Sequence, residues 1–105
     1  MTEQQLQDAI VECARLYQWR VAHFRPARTQ KGWRTPAQYD GKGYPDLTLV
    51  RDRVVFAEIK QVKFRLAVEQ QEWRDALQLA GAEWHLWTPA EWEAGDVEAV
   101  LRRAA

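Results

Sequence analysis

Apolar positions along the chain recur first at helical spacing, then alternate, then return to helical spacing. Leu6, Ile10, Cys13 and Tyr17 lie three or four positions apart and form one stripe. Thr2-Glu3-Gln4-Gln5 ahead of them has the form of a capping box, threonine at the cap and glutamine three residues on. The spacing predicts a helix from about Glu3 to Gln18. Trp19 to Phe24 alternates, with Trp19, Val21 and His23 on one face, and reads as a strand. Arg25 to Gly43 has no clean period, holds Pro26, Gly32, Pro36, Gly41 and Gly43, and reads as a long loop. Two apolar runs follow, Leu47-Thr48-Leu49-Val50 and Val54-Val55-Phe56-Ala57. Only Arg51-Asp52-Arg53 separates them, which predicts a β-hairpin. Val68 to Ala80 reads as a second helix with Trp73, Leu77 and Ala80 on one stripe and Gly81 as its stop. Ala82 to Trp87 is a fourth strand. Thr88-Pro89-Ala90-Glu91 is a second capping signature with proline at the first helical position. It opens a short helix carrying Trp92, and Asp96 is expected to cap a last helix from Val97 to Ala104. The order α-β-β-β-α-β-α predicts the α/β class.

The hairpin register can be worked out from its turn. If Val50 pairs with Val54, opposed residue numbers sum to 104, so Asp46 faces Glu58 and Tyr44 faces Lys60. Opposed Cβ atoms in such a pair are about 5 Å apart, near enough for two carboxylates to share a divalent cation. Alternation also places Glu58 and Lys60 on one face. An ordinary cross-strand salt bridge would explain the same trio. Gln70 lies one turn before Trp73 on an otherwise apolar stripe and must find a partner or a ligand. Glu3, in the first turn of its helix, can serve simply to complement the helix dipole. His23, at a strand end, reads as a hydrogen-bonded structural residue.

Composition narrows the class. A chain of 105 residues with 47 % hydrophobic positions suits one domain with a single core. No apolar run is long enough to cross a bilayer, and the polar start, MTEQQLQDA, is not that of a signal peptide. The single cysteine, Cys13, excludes an internal disulfide and falls on the first apolar stripe, so it reads as a core residue in a reducing, cytoplasmic setting. Net charge is zero, but the charges are unevenly placed. From Arg25 to Tyr44 there are five basic residues (Arg25, Arg28, Lys31, Arg34 and Lys42) and one acid, Asp40. Lys60, Lys63 and Arg65 follow the hairpin. From Ala67 to Glu98 there are eight acids against Arg74. Basic residues with Trp33 and Tyr39 interleaved are the composition of a nucleic-acid contact, phosphate to the cations and bases to the rings.

Five motif pieces together resemble a known family. They are Glu3, Gly43-Tyr44-Pro45-Asp46, Glu58-Ile59-Lys60, Gln70-Gln71-Glu72-Trp73 and Gly81. In that order on those elements they are similar to the PD-(D/E)xK nuclease superfamily, and more closely to its virus-type replication-repair nuclease (VRR-NUC) branch. The resemblance spans about Glu3 to Trp87. One departure is the start of the second helix, where the family often has Ser-Pro and this chain has Ala67-Val68.

The resemblance implies a restriction-endonuclease-like αβββαβ core, a mixed four-stranded sheet flanked by helices, with an extra C-terminal helix. It implies that Asp46, Glu58 and the Ile59 backbone carbonyl hold Mg²⁺ or Mn²⁺. Lys60 would activate the attacking water and stabilise charge on the phosphate, with Gln70 and Glu3 completing the site. Arg25, Arg28, Lys31, Arg34, Lys42, Lys63 and Arg65 are the expected DNA contacts. The implied activity is metal-dependent DNA cleavage, foremost of four-way (Holliday) junctions by a homodimer, in a bacterial or phage-infected cell. The alternatives are a less selective nicking, flap- or end-directed nuclease and a nucleic-acid-binding module without catalysis. Trp84, Trp87 and Trp92, among six tryptophans, are candidates for either a dimer contact or the core.

Overall fold

The computed structural model describes residues 1–24, 27–29, 32–34, 39–63 and 66–105. Helix α1, Glu3–Leu16, begins at the expected capping box: Thr2 Oγ1 accepts the Gln5 N–H at 3.0 Å, and Gln5 Oε1 accepts the Thr2 N–H at 2.8 Å. The helix ends two residues earlier than its apolar stripe suggests. Gln18 takes a left-handed conformation (φ 69°), and the N–H groups of Gln18 and Trp19 turn back onto the carbonyls of Arg15 and Ala14. This closes the last turn without the glycine that usually marks such a stop, so the sequence carries no warning of it.

The main sheet contains β1 (Arg20–Ala22), β4 (Leu47–Val50), β5 (Val54–Ile59) and β6 (Glu83–Trp87), in the order β1-β4-β5-β6. The first two pairings are antiparallel and β5–β6 is parallel. The parallel step requires a crossover, supplied by α2 (Val68–Leu79). The hairpin register is the expected one: Leu47 pairs with Ala57, Thr48 with Phe56, Leu49 with Val55 and Val50 with Val54. The chain is thus an α/β fold on a mixed four-stranded sheet. Within the segment expected to be only a loop, β2 (Ala27–Thr29) and β3 (Gly32–Arg34) form a separate antiparallel pair. Ala-Arg-Thr and Gly-Trp-Arg contain no apolar alternation, so a period-two reading passes over them.

One face of the sheet carries the core. Leu6, Ile10 and Ala14 of α1 pack on Leu47, Leu49, Val55, Ala57 and Ile59, and Cys13 is buried beside them as expected. Burial, and secondarily Glu98, raises the Cys13 thiol above its ordinary pKa. Trp87 is 2 % exposed and belongs to this core, and Trp92 packs against it. Trp87 is thus a core residue, whereas Trp92 and Trp84 are half-buried, Trp84 on the opposite sheet face. That face is covered by α2, where Trp73 meets Tyr44 edge-on at 5.0 Å, and Tyr44 in turn meets Phe24 and Phe56. Helix α2 ends at Gly81 as expected: Gly81 has φ 81°, and the N–H groups of Gly81 and Ala82 close onto Gln78 and Leu77. Among the described residues no helix is long and apolar enough to cross a membrane.

Helix α3 (Pro89–Glu93) starts at the predicted Thr88 cap. Helix α4 (Asp96–Arg102) differs from expectation at both ends. Its N-cap is Gly95 (φ 84°), with Asp96 as the first helical residue, and it stops at Arg102 rather than Ala104. The hairpin turn accounts for the early stop. Arg51 donates to the carbonyls of Tyr17, Leu101 and Arg103, and Arg53 donates to those of Val100 and Arg103. Both guanidiniums lie over Trp19, whose Nε1–H donates to Leu101 O at 2.8 Å. Two cations thus satisfy the open carbonyls at a helix C-terminus, where the helix dipole also favours them. Arg53 is additionally paired with Glu83 at 2.8 Å. Arg53→Ala is expected to destabilise the fold by about 2 kcal/mol, because charge-assisted bonds to partly buried carbonyls are lost. An unchanged urea midpoint would show that the clamp contributes nothing.

Candidate active site

The site lies where β4 and β5 meet the start of α2. Asp46 immediately precedes β4, after the buried Pro45. Its carboxylate does not project freely: Oδ2 accepts the Ile59 N–H at 2.8 Å. The Ile59 peptide is thereby held against Asp46. The Asp46 main-chain carbonyl accepts a hydrogen bond from His23 Nδ1 at 2.7 Å. His23 is therefore hydrogen-bonded, as expected, and its partner is Asp46.

Glu58, opposite Asp46 in the continued hairpin register, is 1 % exposed. Gln70 supplies the partner its position demanded. Its Oε1 accepts the Ala67 N–H at 2.8 Å, the N3 half of a capping box whose other half the alanine cannot supply, and its Nε2 donates to Glu58 Oε1 at 3.2 Å. Glu58 Oε2 is buried and has no hydrogen-bond partner among the described residues. The Glu58 pKa is pushed up to about 9. Burial is the first cause, followed by the neighbouring Asp46 carboxylate; Glu3 adds to the rise and Lys60 opposes it. Asp46, Lys60 and Glu3 are therefore each within electrostatic reach of Glu58.

Lys60 is half-buried, and its backbone N–H extends the parallel ladder to Trp87 O at 3.0 Å. Glu3 is exposed on the first turn of α1. Gln61 Nε2 donates to Met1 O at 2.7 Å, which brings that turn to the end of β5.

Gly43 fixes the approach of α2. It has φ 84°, and a Cβ placed there would lie 2.5–2.7 Å from the Glu69 backbone and Cβ. The loop before Asp46 therefore touches the first turn of α2 backbone to side-chain root, one residue from Gln70. Trp73 Nε1–H donating to Asp40 O at 2.8 Å ties the same loop further along the helix.

Among the described residues no three His, Cys, Asp or Glu side chains group as a metal site. Two carboxylates do meet, Asp46 and Glu58, and a third oxygen would have to come from the Ile59 carbonyl. The donor set is all hard oxygen, which suits Mg²⁺ or Mn²⁺. The orphaned Oε2 and the retained proton point the same way: two adjacent carboxyls, one of them buried, need either a proton or a cation between them. The residues present fit a divalent cation.

The basic residues are less uniform. Lys42 pairs with Glu69 at 3.2 Å, yet its side chain remains 81 % exposed. Lys63 pairs with Glu91. Burial alone would raise the Glu91 carboxyl, but Lys63 and Thr88 outweigh it and hold it at about 2. Arg28 lies in β2 and Arg34 in β3. Arg25, Lys31 and Arg65 fall outside the described residues.

No protein-family model matches the chain. No curated protein matches it either.

Proposed function

We propose that the protein is a metal-dependent DNA endonuclease of the VRR-NUC type. The observation that carries this reading is the Asp46–Glu58 pair, with a buried, unpartnered carboxylate oxygen and Lys60 beside it. The element order and the β1-β4-β5-β6 sheet with one parallel edge are compatible with the αβββαβ restriction-endonuclease-like core that the motifs imply. Asp46, Glu58 and the Ile59 carbonyl would hold Mg²⁺ or Mn²⁺. Such an ion supplies a hydroxide near neutral pH by lowering the pKa of its water. The chain's own residues prepare that chemistry. Gln70 anchors one Glu58 oxygen and leaves the other for the metal. The Ile59 N–H orients the Asp46 carboxylate. Lys60 places an ammonium where charge builds on the phosphate. Glu3 adds a further carboxylate at the edge.

The substrate in this reading is branched DNA, foremost the four-way junction, cut by a homodimer whose two sites nick symmetrically. The setting is the cytoplasm of a bacterial or phage-infected cell. A direct assay compares a four-way junction, a flap, a nicked duplex and a linear duplex, each with Mg²⁺ or Mn²⁺. Paired symmetric nicks near the crossover, with linear duplex spared, are expected. Cleavage of all four would replace junction selectivity with a general nuclease. Tight DNA binding with no cleavage under either metal would leave a binding module.

A further inference from the structure

We propose that His23 is a positioning residue for Asp46, fixing the metal-binding segment at the point where β1 leaves the sheet. The inference rests on the nuclease reading above. Strand β1 pairs with β4 only as far as Ala22 opposite Thr48. Continued two residues further, that register would set Phe24 opposite Asp46, but the strand has ended. The Asp46 carbonyl thus lies just beyond the ladder. The His23 side chain takes the place of the missing strand, its Nδ1 lying 2.7 Å from Asp46 O.

A carbonyl can only accept, so Nδ1 carries the proton and the tautomer of the neutral ring is fixed. The bond is available to the neutral and the protonated imidazole alike. Asp46 is then pinned twice: its main chain from the β1 side by His23, and its carboxylate from the β5 side by the Ile59 N–H. Either pin alone leaves a rotation open. With the carbonyl free, the peptide before Leu47 can turn and carry the carboxylate away from Glu58. Partners of this kind, which orient a metal ligand without touching the ion, matter nearly as much as the ligands themselves.

His23 is half-buried and lines the open groove between α1 and β1, with Gln7, Asp8 and Val11. Its substitution therefore changes a hydrogen bond at a rim rather than emptying the core.

Three variants of the full chain test the role. His23→Ala removes the donor. His23→Asn places an amide N–H near the Nδ1 position, and His23→Gln places it near Nε2. Cleavage of a four-way junction, Mn²⁺ affinity by titration calorimetry and thermal melting are measured for each. His23→Ala and His23→Gln are expected to lose about 10- to 100-fold in kcat, in Mn²⁺ affinity, or in both, while melting close to wild type. KM for DNA should stay within about two-fold, since the contact is not to substrate. His23→Asn should recover most of the loss. Full activity and Mn²⁺ affinity in His23→Ala would overturn the proposal, as would a folded His23→Asn no better than His23→Ala. If wild type binds Mn²⁺ but cuts no DNA, the affinity series alone decides the role of His23. If wild type neither cuts nor binds Mn²⁺, the nuclease reading and this one fall together.

Discussion

Glu58→Gln is expected to abolish cleavage and at the same time to make the metal-free protein more stable at pH 8. The two effects have one cause. Glu58 is buried beside Asp46 with one oxygen unpartnered, and its pKa is raised from 4.5 to about 9. The folded state therefore keeps a proton that the unfolded chain releases above about pH 4.5. Because the folded state binds more protons between those two values, stability falls as pH rises from about 4.5 to 9. The total loss across that window is on the order of a few kcal/mol, given the strong coupling to Asp46. Glutamine has nearly the same shape, can still meet Gln70 and Asp46, and has no proton to release, so this contribution to the slope should vanish. The advantage of Glu58→Gln should widen as pH increases. Millimolar Mn²⁺ should reverse the order, since a cation that binds only the folded state stabilises wild type and not the variant. On the proposed nuclease reading, Glu58→Gln removes a ligand of a cation that contributes several kcal/mol of transition-state stabilisation, and the rate should fall by about 10³-fold or more. Asp46→Asn and Lys60→Ala should be comparably inactive while DNA binding persists. Urea titrations from pH 5 to 9, with and without Mn²⁺, check the stability side. A Glu58→Gln protein less stable than wild type at pH 8 would mean that the buried carboxyl is not strained.

Gly43→Ala should destabilise the protein far more than the same change at Gly81 or Gly95. The position combines φ 84° with contacts of 2.5–2.7 Å to the backbone and Cβ of Glu69. A left-handed alanine alone costs about 1 kcal/mol. Forcing a methyl into occupied backbone space adds roughly 1–3 kcal/mol. The added methyl must push the first turn of α2 outward, and Gln70 is the next residue along. Activity should therefore fall further than the stability loss alone explains, as Gln70 leaves Glu58. Gly81→Ala is the internal control: its φ is 81°, but a Cβ there meets nothing within 4 Å. It should show the conformational cost and no more, and leave cleavage near wild type. The two variants are compared by urea midpoint and by turnover. Equal midpoints would remove the steric argument and leave only the backbone one.

Part of this architecture is legible in the chain and part is not. The hairpin register, the Thr2 and Thr88 caps and the Gly81 stop were all readable, since each depends on residues a few positions apart whose side-chain period or hydrogen-bond geometry decides the local structure. The same local rules set Asp46 opposite Glu58 and put Lys60 beside them. They failed where the signal was weak, at the β2–β3 pair with no apolar alternation, or where tertiary contacts set an end. Gln18 closes α1 without a glycine, and Arg51 and Arg53 close α4 from a turn far away in sequence.

Residue pattern alone carries the order of the elements, the pairing of the central hairpin and the gathering of two acids and a lysine at its end. The character of those acids depends on how the elements pack. Burial under α2 turns Glu58 from a surface carboxylate into one that keeps its proton. Gln70 reaches it because Gly43 lets the helix come close. His23, just beyond β1, and Ile59 on β5 both hydrogen-bond Asp46. Local sequence sets period and direction, whereas desolvation and cross-element hydrogen bonds depend on which surfaces meet, and no spacing along the chain records that.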